Sequence, residues 1–129
     1  MALYAQTSGT QKTNSDTFVP IPGLAFTIPE GVGTAALVTL NLPNPYANGN
    51  NFPGGFFGIS VNGTVSPVVA CFTSSDQNPP NQNTGRSPTT LVLSVPLANA
   101  PQTIVAVWSG VRGSTAIIDT PASLSAILD

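Results

Sequence analysis

Two arginines are the residues of this sequence best suited to binding a ligand. Arg86 stands in Thr84-Gly85-Arg86 and Arg112 in Val111-Arg112-Gly113-Ser114, so each adjoins a glycine that lets a ligand approach the backbone. A planar guanidinium offers parallel N–H donors that fit vicinal sugar hydroxyls or a carboxylate. The alternative is an internal ion pair, for example between Arg112 and Asp119, and the residue types alone favour neither.

A long segment rich in turn residues, Leu42 to Phe57, contains a third candidate, Tyr46. Its three prolines, three glycines and four asparagines predict one ordered loop between two strands. A rigid loop that offers both amides and aromatic rings suits a polar ligand with an apolar face, which points first to a carbohydrate. Trp108 differs, because it alternates with Ile104 and Ala106 and is predicted to lie in the core.

The sequence offers little material for catalysis or for a metal. It has no histidine, which excludes serine–histidine and cysteine–histidine mechanisms. A glycosidase needs only two carboxyl groups, but the five acidic residues are scattered along the chain. The stretch Asn48-Gly49-Asn50-Asn51 offers amides where calcium prefers clustered carboxylates. We therefore predict no catalytic residue, no metal and no cofactor, and a buried position for Cys71.

Composition limits the classes of partner. Charged residues are 6% of the 129 positions, against about 25% in ordinary domains, and the net charge is −2. Such a chain lacks the basic footprint that nucleic acid requires. No apolar run approaches the roughly 20 residues that span a bilayer, so no membrane insertion is expected. The first residues lack a secretory signal, so we expect a cytoplasmic protein that reaches a surface, if at all, by an unconventional route.

Alternating apolar residues and regularly spaced turns predict an all-β fold. The length fits one domain, residues 1–129, and eight or so short strands indicate an antiparallel sandwich, most simply a jelly roll. Asn62-Gly63 predicts a tight hairpin, and Pro20 to Gly23 a turn. Residues Ala5 to Asp16 show no period and are predicted to be an N-terminal arm followed by the first ordered residues. The apolar Leu124 to Leu128 suits a strand buried against another subunit, as in a trimer. The predicted strands are residues 17–19, 24–28, 36–42, 56–61, 64–74, 89–95, 103–109, 115–118 and 123–128.

Five strings of this sequence resemble one known family, and together they lie within a likeness that runs from Phe18 to Ile127. They are Pro45-Tyr46-Ala47-x-Gly49-Asn50-Asn51-Phe52-Pro53-Gly54, Cys71-Phe72-Thr73, Thr84-Gly85-Arg86-x-Pro88, Val111-Arg112-Gly113-Ser114 and Ala122-Ser123-Leu124-Ser125-Ala126-Ile127. The family is the tumour-necrosis-factor-like, fucose-binding lectin domain at the N-terminus of a Burkholderia superlectin. The resemblance implies a jelly-roll homotrimer with calcium-independent sites for fucosylated glycans between subunits.

The same resemblance implies which residues bind the sugar. It assigns Tyr46, Thr84 and Arg86 to one side of each site, and Thr73 and Arg112 of the neighbouring subunit to the other. Phe56 and Ser74 stand where the family has tyrosines, and Asn83 where it has a serine. These changes remove one hydrogen bond and one apolar wall, while both arginines are retained.

Taken together, these patterns predict a lectin rather than an enzyme. Its expected partners are fucosylated oligosaccharides of host glycoconjugates and further copies of the same chain. One alternative is a structural or receptor-binding trimeric jelly roll without glycan specificity, which the low charge and apolar C-terminal strand fit equally well. A small glycosidase is the other.

Overall fold

The computed structural model describes residues 1–77 and 84–129, with Thr84 and Gly85 described by their backbone. These residues form β-strands connected by turns, with no helix among them. No described segment is therefore a helix able to cross a membrane. In chain order the strands are β1 Ala2–Gln6, β2 Gln11–Thr13, β3 Val19–Ile28, β4 Ala35–Leu42, β5 Tyr46–Asn48, β6 Gly54–Val61, β7 Thr64–Thr73, β8 Thr84–Gly85, β9 Thr89–Pro96, β10 Gln102–Val111, β11 Thr115–Ile118 and β12 Ser123–Leu128.

Two large antiparallel sheets enclose the core. The first has the strand order β1-β12-β4-β9 and the second β3-β10-β6-β7. Alternate residues of each strand point inward, so Leu40 and Leu124 from the first sheet and Trp108 from the second are all nearly inaccessible to solvent. Each large side chain buried in this way contributes about 1.5–3 kcal/mol. The predicted antiparallel sandwich and the core position of Trp108 are confirmed.

A third, smaller sheet closes one end of the sandwich. Its order is β2-β11-β5-β8, and each of these strands comes from a connection that crosses between the two large sheets. Thus β2 lies between β1 and β3, β5 between β4 and β6, β8 between β7 and β9, and β11 between β10 and β12. The small sheet fixes the connecting segments to one another, so residues distant in sequence are held together at this end, which we call the crossover end.

Several local predictions are corrected by the strands. Residues Ala5 to Asp16 do not form an arm outside the sheets, because the end of β1 pairs with β12 and β2 pairs with β11. The segment Leu42 to Phe57 is not one loop, because it contains β5 and the start of β6. Pro20 to Gly23 lies within β3, where Gly23 has a φ of 87° and the pairing with β10 shifts register. The chain accommodates this irregularity without leaving the sheet.

The predicted hairpin is confirmed. Asn62 and Gly63 have φ values of 51° and 87°, and Val61 pairs with Thr64 across the turn. Two left-handed residues in succession are what a type I′ turn requires. The Asn62 side chain also donates to Gln102 Oε1 at 2.6 Å and accepts from the Thr103 backbone N–H at 2.8 Å, which ties this turn to β10.

The outer face of the first sheet is rich in exposed apolar side chains. Leu37 pairs with Ile127, and Tyr4 and Val92 lie one row further along on the same face. Their exposed fractions are 65% for Tyr4, 48% for Leu37, 50% for Val92 and 65% for Ile127. The strand β12 therefore presents Leu124 and Ala126 to the core of its own subunit and Ile127 to the outside.

Candidate functional site

The crossover end holds Arg86 at the edge of the small sheet. Strand β5 pairs with β8 through Tyr46 and Gly85, and the Arg86 backbone N–H donates to Pro45 O at 2.6 Å. Arg86 itself has a φ of 62°, a left-handed conformation that costs a non-glycine residue energy and directs its side chain back over β5. Its guanidinium carbon lies 3.8 Å from the centre of the Tyr46 ring.

The same guanidinium is bound at its edge by Asp119, the residue that follows β11. Nη1 donates to Oδ1 at 2.9 Å and Nη2 donates to Oδ2 at 3.3 Å. This bond to Arg86 is the main reason that the pKa of Asp119 is below its usual range, and the bond to Asp119 is the main reason that the pKa of Arg86 is raised. The pair is therefore fully charged at neutral pH. We call Tyr46, Arg86 and Asp119 the Arg86 cluster.

Arg112 occupies the turn between β10 and β11. Arg112 and Gly113 have φ values of 51° and 74°, the two left-handed residues of a type I′ turn. The buried Ser114 hydroxyl fixes this turn, since its oxygen accepts from Gly54 N–H at 3.1 Å and lies 2.6 Å from Val111 O and 2.8 Å from Gly54 O. The position of Arg112 thus depends on the first residue of β6.

Backbone carbonyls hold the Arg112 guanidinium. Nε donates to Asn51 O at 3.1 Å and Nη2 to Phe52 O at 2.6 Å, and the guanidinium carbon is 5.5 Å from the centre of the Phe52 ring. Within the described residues, no carboxylate forms an ion pair with Arg112. The alternative of an Arg112–Asp119 pair is therefore wrong, because Asp119 binds Arg86.

Three further predicted residues lie at the end of β6 and β7 where β6 pairs with the last residues of β10, just before Arg112. Gly54 pairs with Val111 on one side and with Thr73 on the other, and Ser74 N–H donates to Pro53 O at 2.8 Å. Phe56 is partly exposed and meets Phe18 edge-on, with the ring centres 6.4 Å apart. The Arg112 cluster, by which we mean Phe52, Phe56, Thr73, Ser74 and Arg112, thus collects at one end of β6 and β7.

Cys71 is the clearest error among the predicted residues. It lies opposite Phe56 on the edge strand β7 and is exposed instead of buried. The partial burial that it retains raises the pKa of the thiol, and the positive charge of Arg112 opposes that shift. Of the remaining predicted site residues, Thr84 pairs through its backbone with Ala47, and Asn83 lies outside the described residues.

The two clusters lie at opposite ends of β11. Arg112 precedes Thr115, the first residue of the strand, and Asp119 follows Ile118, the last. The distance along the strand from Thr115 to Asp119 is about 13 Å at the usual rise per residue. One chain therefore holds its two arginines in two separate clusters rather than in one pocket.

Sequence reasoning missed Asp119 as a partner of Arg86 and Phe52 as a partner of Arg112. Asp119 is 33 residues from Arg86 in the sequence, and no local pattern connects them. Phe52 has a φ of 48° in a proline- and glycine-rich segment, and an aromatic residue at a turn was the signal that could have identified it. In the described part of the chain, no group of three or more histidines, cysteines and acids is arranged to hold a metal ion.

Comparisons with known proteins identify one family. The family model described as "Bc2l-C, N-terminal domain" matches residues 3–127. A search of the curated proteins finds no match.

Solved structures give weaker likenesses. The CBM36-1 domain of a multidomain xylanase from the hindgut metagenome of Trinervitermes trinervoides has a TM-score of 0.48 and 17% identity, over 100% of this chain and 98% of that one. A carbohydrate-binding module CBM36 in complex with calcium and xylotriose has a TM-score of 0.42 and 11% identity, over 93% of this chain and 100% of that one. Dimeric latent PorU from Porphyromonas gingivalis has a TM-score of 0.43 and 16% identity, over 98% of this chain and 13% of that one. TM-scores this low support no inference about the ligand, metal or assembly of this chain.

Proposed function

The chain belongs to the family of the Bc2l-C N-terminal domain, and on that premise we propose that it is a lectin. It binds fucosylated glycans, without calcium and without catalysis, at sites between the subunits of a jelly-roll homotrimer. The observation that carries this proposal is the division of the arginines into two exposed half-sites at opposite ends of β11. A ring of identical subunits brings the Arg86 cluster of one subunit against the Arg112 cluster of the next.

The donors left free in each half-site suit sugar hydroxyls. A guanidinium has five N–H groups, and Arg86 uses two of them on Asp119, while Arg112 uses two on Asn51 and Phe52. About three remain on each for a ligand. Thr73 adds an exposed hydroxyl beside Arg112. Vicinal hydroxyls of one ring can therefore accept from both arginines at once, as a terminal fucose would.

The same chemistry supports calcium independence and the absence of catalysis. Asp119 is the carboxylate of the two clusters, and both of its oxygens accept from Arg86. Calcium needs six to eight oxygen ligands, and a glycosidase needs two carboxyl groups at the bond that it cleaves. Neither requirement is met by a single carboxylate that is already bound.

Two features support the assembly. The two large sheets together contain eight antiparallel strands in two groups of four, which is the arrangement of a jelly roll. The exposed apolar face around Leu37 and Ile127 is the kind of surface that a soluble protein covers by association. Several weak sites on one trimer would then raise avidity, by about 10²-fold or more.

A glycan array probed with the assembled protein in the presence of a chelator tests the ligand. We expect binding confined to fucosylated structures. Binding to another sugar would agree with a lectin but overturn the assignment of fucose as its ligand. Binding only after calcium is restored would overturn the proposal that the site needs no metal. A blank array from a correctly assembled trimer would contradict the proposal and favour a structural role. Release of sugar from an aryl fucoside would contradict the absence of catalysis.

A complementation experiment tests whether the site lies between subunits. Arg86→Ala and Arg112→Ala trimers should each fail to bind a soluble fucoside. In a mixed trimer of the two variants, one of the three interfaces joins an intact Arg86 to an intact Arg112. Refolding an equal mixture should therefore restore about one quarter of the wild-type sites, counted by calorimetric titration. A mixture that stays inactive would contradict a shared site.

A further inference from the structure

We propose that Asp119 is a positioning and specificity residue of the glycan site, which fixes Arg86 against Tyr46 and restricts that half-site to uncharged ligands. No sequence motif identified this residue. The inference rests on the proposed function, because it concerns the same site. It is carried by the geometry of the Arg86 cluster and by the balance of charge in it.

The positioning argument follows from the two contacts of the guanidinium. The Tyr46 ring, 3.8 Å away, fixes the plane of the group, and the paired bonds to Asp119 fix its rotation within that plane. A free arginine side chain has about 2 kcal/mol of rotamer entropy to lose on binding. Because Asp119 already restricts the side chain, less of this cost falls on the ligand.

Asp119 is in turn held by its neighbours. Thr120 Oγ1 donates to Asp119 Oδ1 at 3.4 Å, and Asn44 Nδ2 donates to Thr120 Oγ1 at 3.4 Å. These contacts connect the carboxylate to the segment between β4 and β5. The side chains of Arg86 and Asp119 are 40% and 32% exposed, and an ion pair at such a surface contributes only about 0.2–1 kcal/mol to folding. The pair is therefore better explained by its place in the site than by stability.

The specificity argument follows from charge. Arg86 and Asp119 cancel each other, so the half-site as a whole is neutral and offers hydrogen-bond donors without a net attraction for anions. An acidic group that approached the free edge of Arg86 would also approach the Asp119 carboxylate, which repels it. The Arg86 side of the site should consequently favour the neutral part of a fucosylated glycan over a sialyl or sulfate group, while, among the described residues, the uncompensated charge of the complete site lies at Arg112.

Two matched variants test the proposal on the assembled protein. Asp119→Asn keeps the shape of the side chain and removes its charge, and Glu30→Gln makes the same chemical change in the exposed turn after β3, away from the crossover end. We expect Asp119→Asn to bind a neutral fucoside about fivefold more weakly, equivalent to roughly 1 kcal/mol. Its ratio of sialylated to neutral binding on an array should rise by a similar factor. Glu30→Gln should match the wild type in both measurements.

The outcomes separate this inference from the function on which it rests. If the wild type binds neutral glycans and Asp119→Asn has the same affinity and the same charge preference, the inference is overturned. The proposed lectin function is not affected by that result. Equal weakening for neutral and sialylated glycans overturns the specificity role. Asp119→Glu, which restores a carboxylate, should recover the neutral preference, and a failure to recover it contradicts the charge argument. A wild-type trimer that binds no glycan overturns both proposals.

Discussion

The two arginines of the crossover end have similar local geometry but are held in different ways. Both adopt a left-handed backbone conformation, and both place a guanidinium near an aromatic ring. Arg86 is held by side chains, the Tyr46 ring and the Asp119 carboxylate. Arg112 is held by the main chain, through Asn51 O and Phe52 O, in a turn fixed by Ser114.

This difference determines how each half-site can change. The Arg86 guanidinium is held by the side chains of Tyr46 and Asp119, so a single substitution of either alters the cluster without removing a backbone hydrogen bond. The Arg112 cluster depends on close backbone packing, and its arginine has no carboxylate partner among the described residues. Under the proposed function, the Arg86 half-site would therefore set specificity and the Arg112 half-site would anchor the ligand.

The largest effect is expected from a substitution that separates the Arg86 cluster of one subunit from the Arg112 cluster of the next. Replacing Ile127, which is 65% exposed on the outer face of the first sheet, by arginine puts a charge on the face that we propose to be covered in the trimer. We expect Ile127→Arg to sediment as a folded monomer and to lose glycan binding entirely, although both clusters are intact in each subunit.

The matched control for this variant is Val69→Arg. Val69 is 44% exposed on the outer face of the second sheet, on the side of the sandwich opposite the apolar face around Leu37 and Ile127. It should remain trimeric and bind as the wild type does. An Ile127→Arg protein that stays trimeric would show that this face is not the interface, and a monomer that binds normally would show that one chain holds a complete site.

A glycine substitution should damage the Arg112 cluster through the strands that carry it. A Cβ atom at Gly54 would lie 2.0 Å from Phe72 O, which is backbone and cannot move without parting β6 from β7. We expect Gly54→Ala to lower the free energy of unfolding by roughly 3 kcal/mol or more. Any trimer that still forms should bind glycan without the contacts that Arg112 makes.

The control lies in the same strand. The nearest atoms to a Cβ at Gly58 would be methyl groups of Val65, Val107 and Val69, at 3.3–3.4 Å. Those side chains can shift slightly, so Gly58→Ala should change the free energy of unfolding by about 1 kcal/mol or less. Urea denaturation of both variants measures the difference. Equal values would mean that the backbone at Gly54 yields, and that Arg112 is not fixed as firmly as its contacts indicate.

Sequence reasoning succeeded where a local pattern decides the structure. Strand alternation predicted most strands of the two large sheets, and Asn62-Gly63 predicted the hairpin, because each depends on neighbouring residues. Tyr46 was selected as an aromatic residue in a turn-rich segment, and the two arginines because charged residues are rare in this chain; their role in binding stays a prediction. The family match covers residues 3–127, the range in which these residues lie.

The failures concern contacts between distant segments. Strand β1 is an edge strand with Tyr4 exposed, so it shows no apolar period strong enough to recognise. Strands β5 and β8 are only three and two residues long and exist because the connections between sheets pair with one another. The Arg86–Asp119 pair likewise depends on where β8 and β11 end. Cys71 was assigned to the core because cysteine is usually a buried residue. Its exposure depends on which face of the edge strand β7 it occupies, and the residue type does not show this.

The smallest expected effect compares the two aromatic rings. Removing the ring under Arg86 with Tyr46→Ala takes away the contact at 3.8 Å that fixes the guanidinium plane. An exposed cation–π contact contributes about 0.5–1 kcal/mol, so fucoside affinity should fall about two- to fivefold. Tyr46→Phe keeps the ring and should lose less affinity.

In Phe52→Ala the ring lost is 5.5 Å from Arg112, and both carbonyls that hold the arginine remain. Its affinity should stay within about twofold of the wild type. If Phe52→Ala weakens binding as much as Tyr46→Ala, then backbone carbonyls do not suffice to position Arg112, and the two half-sites are held in the same way after all.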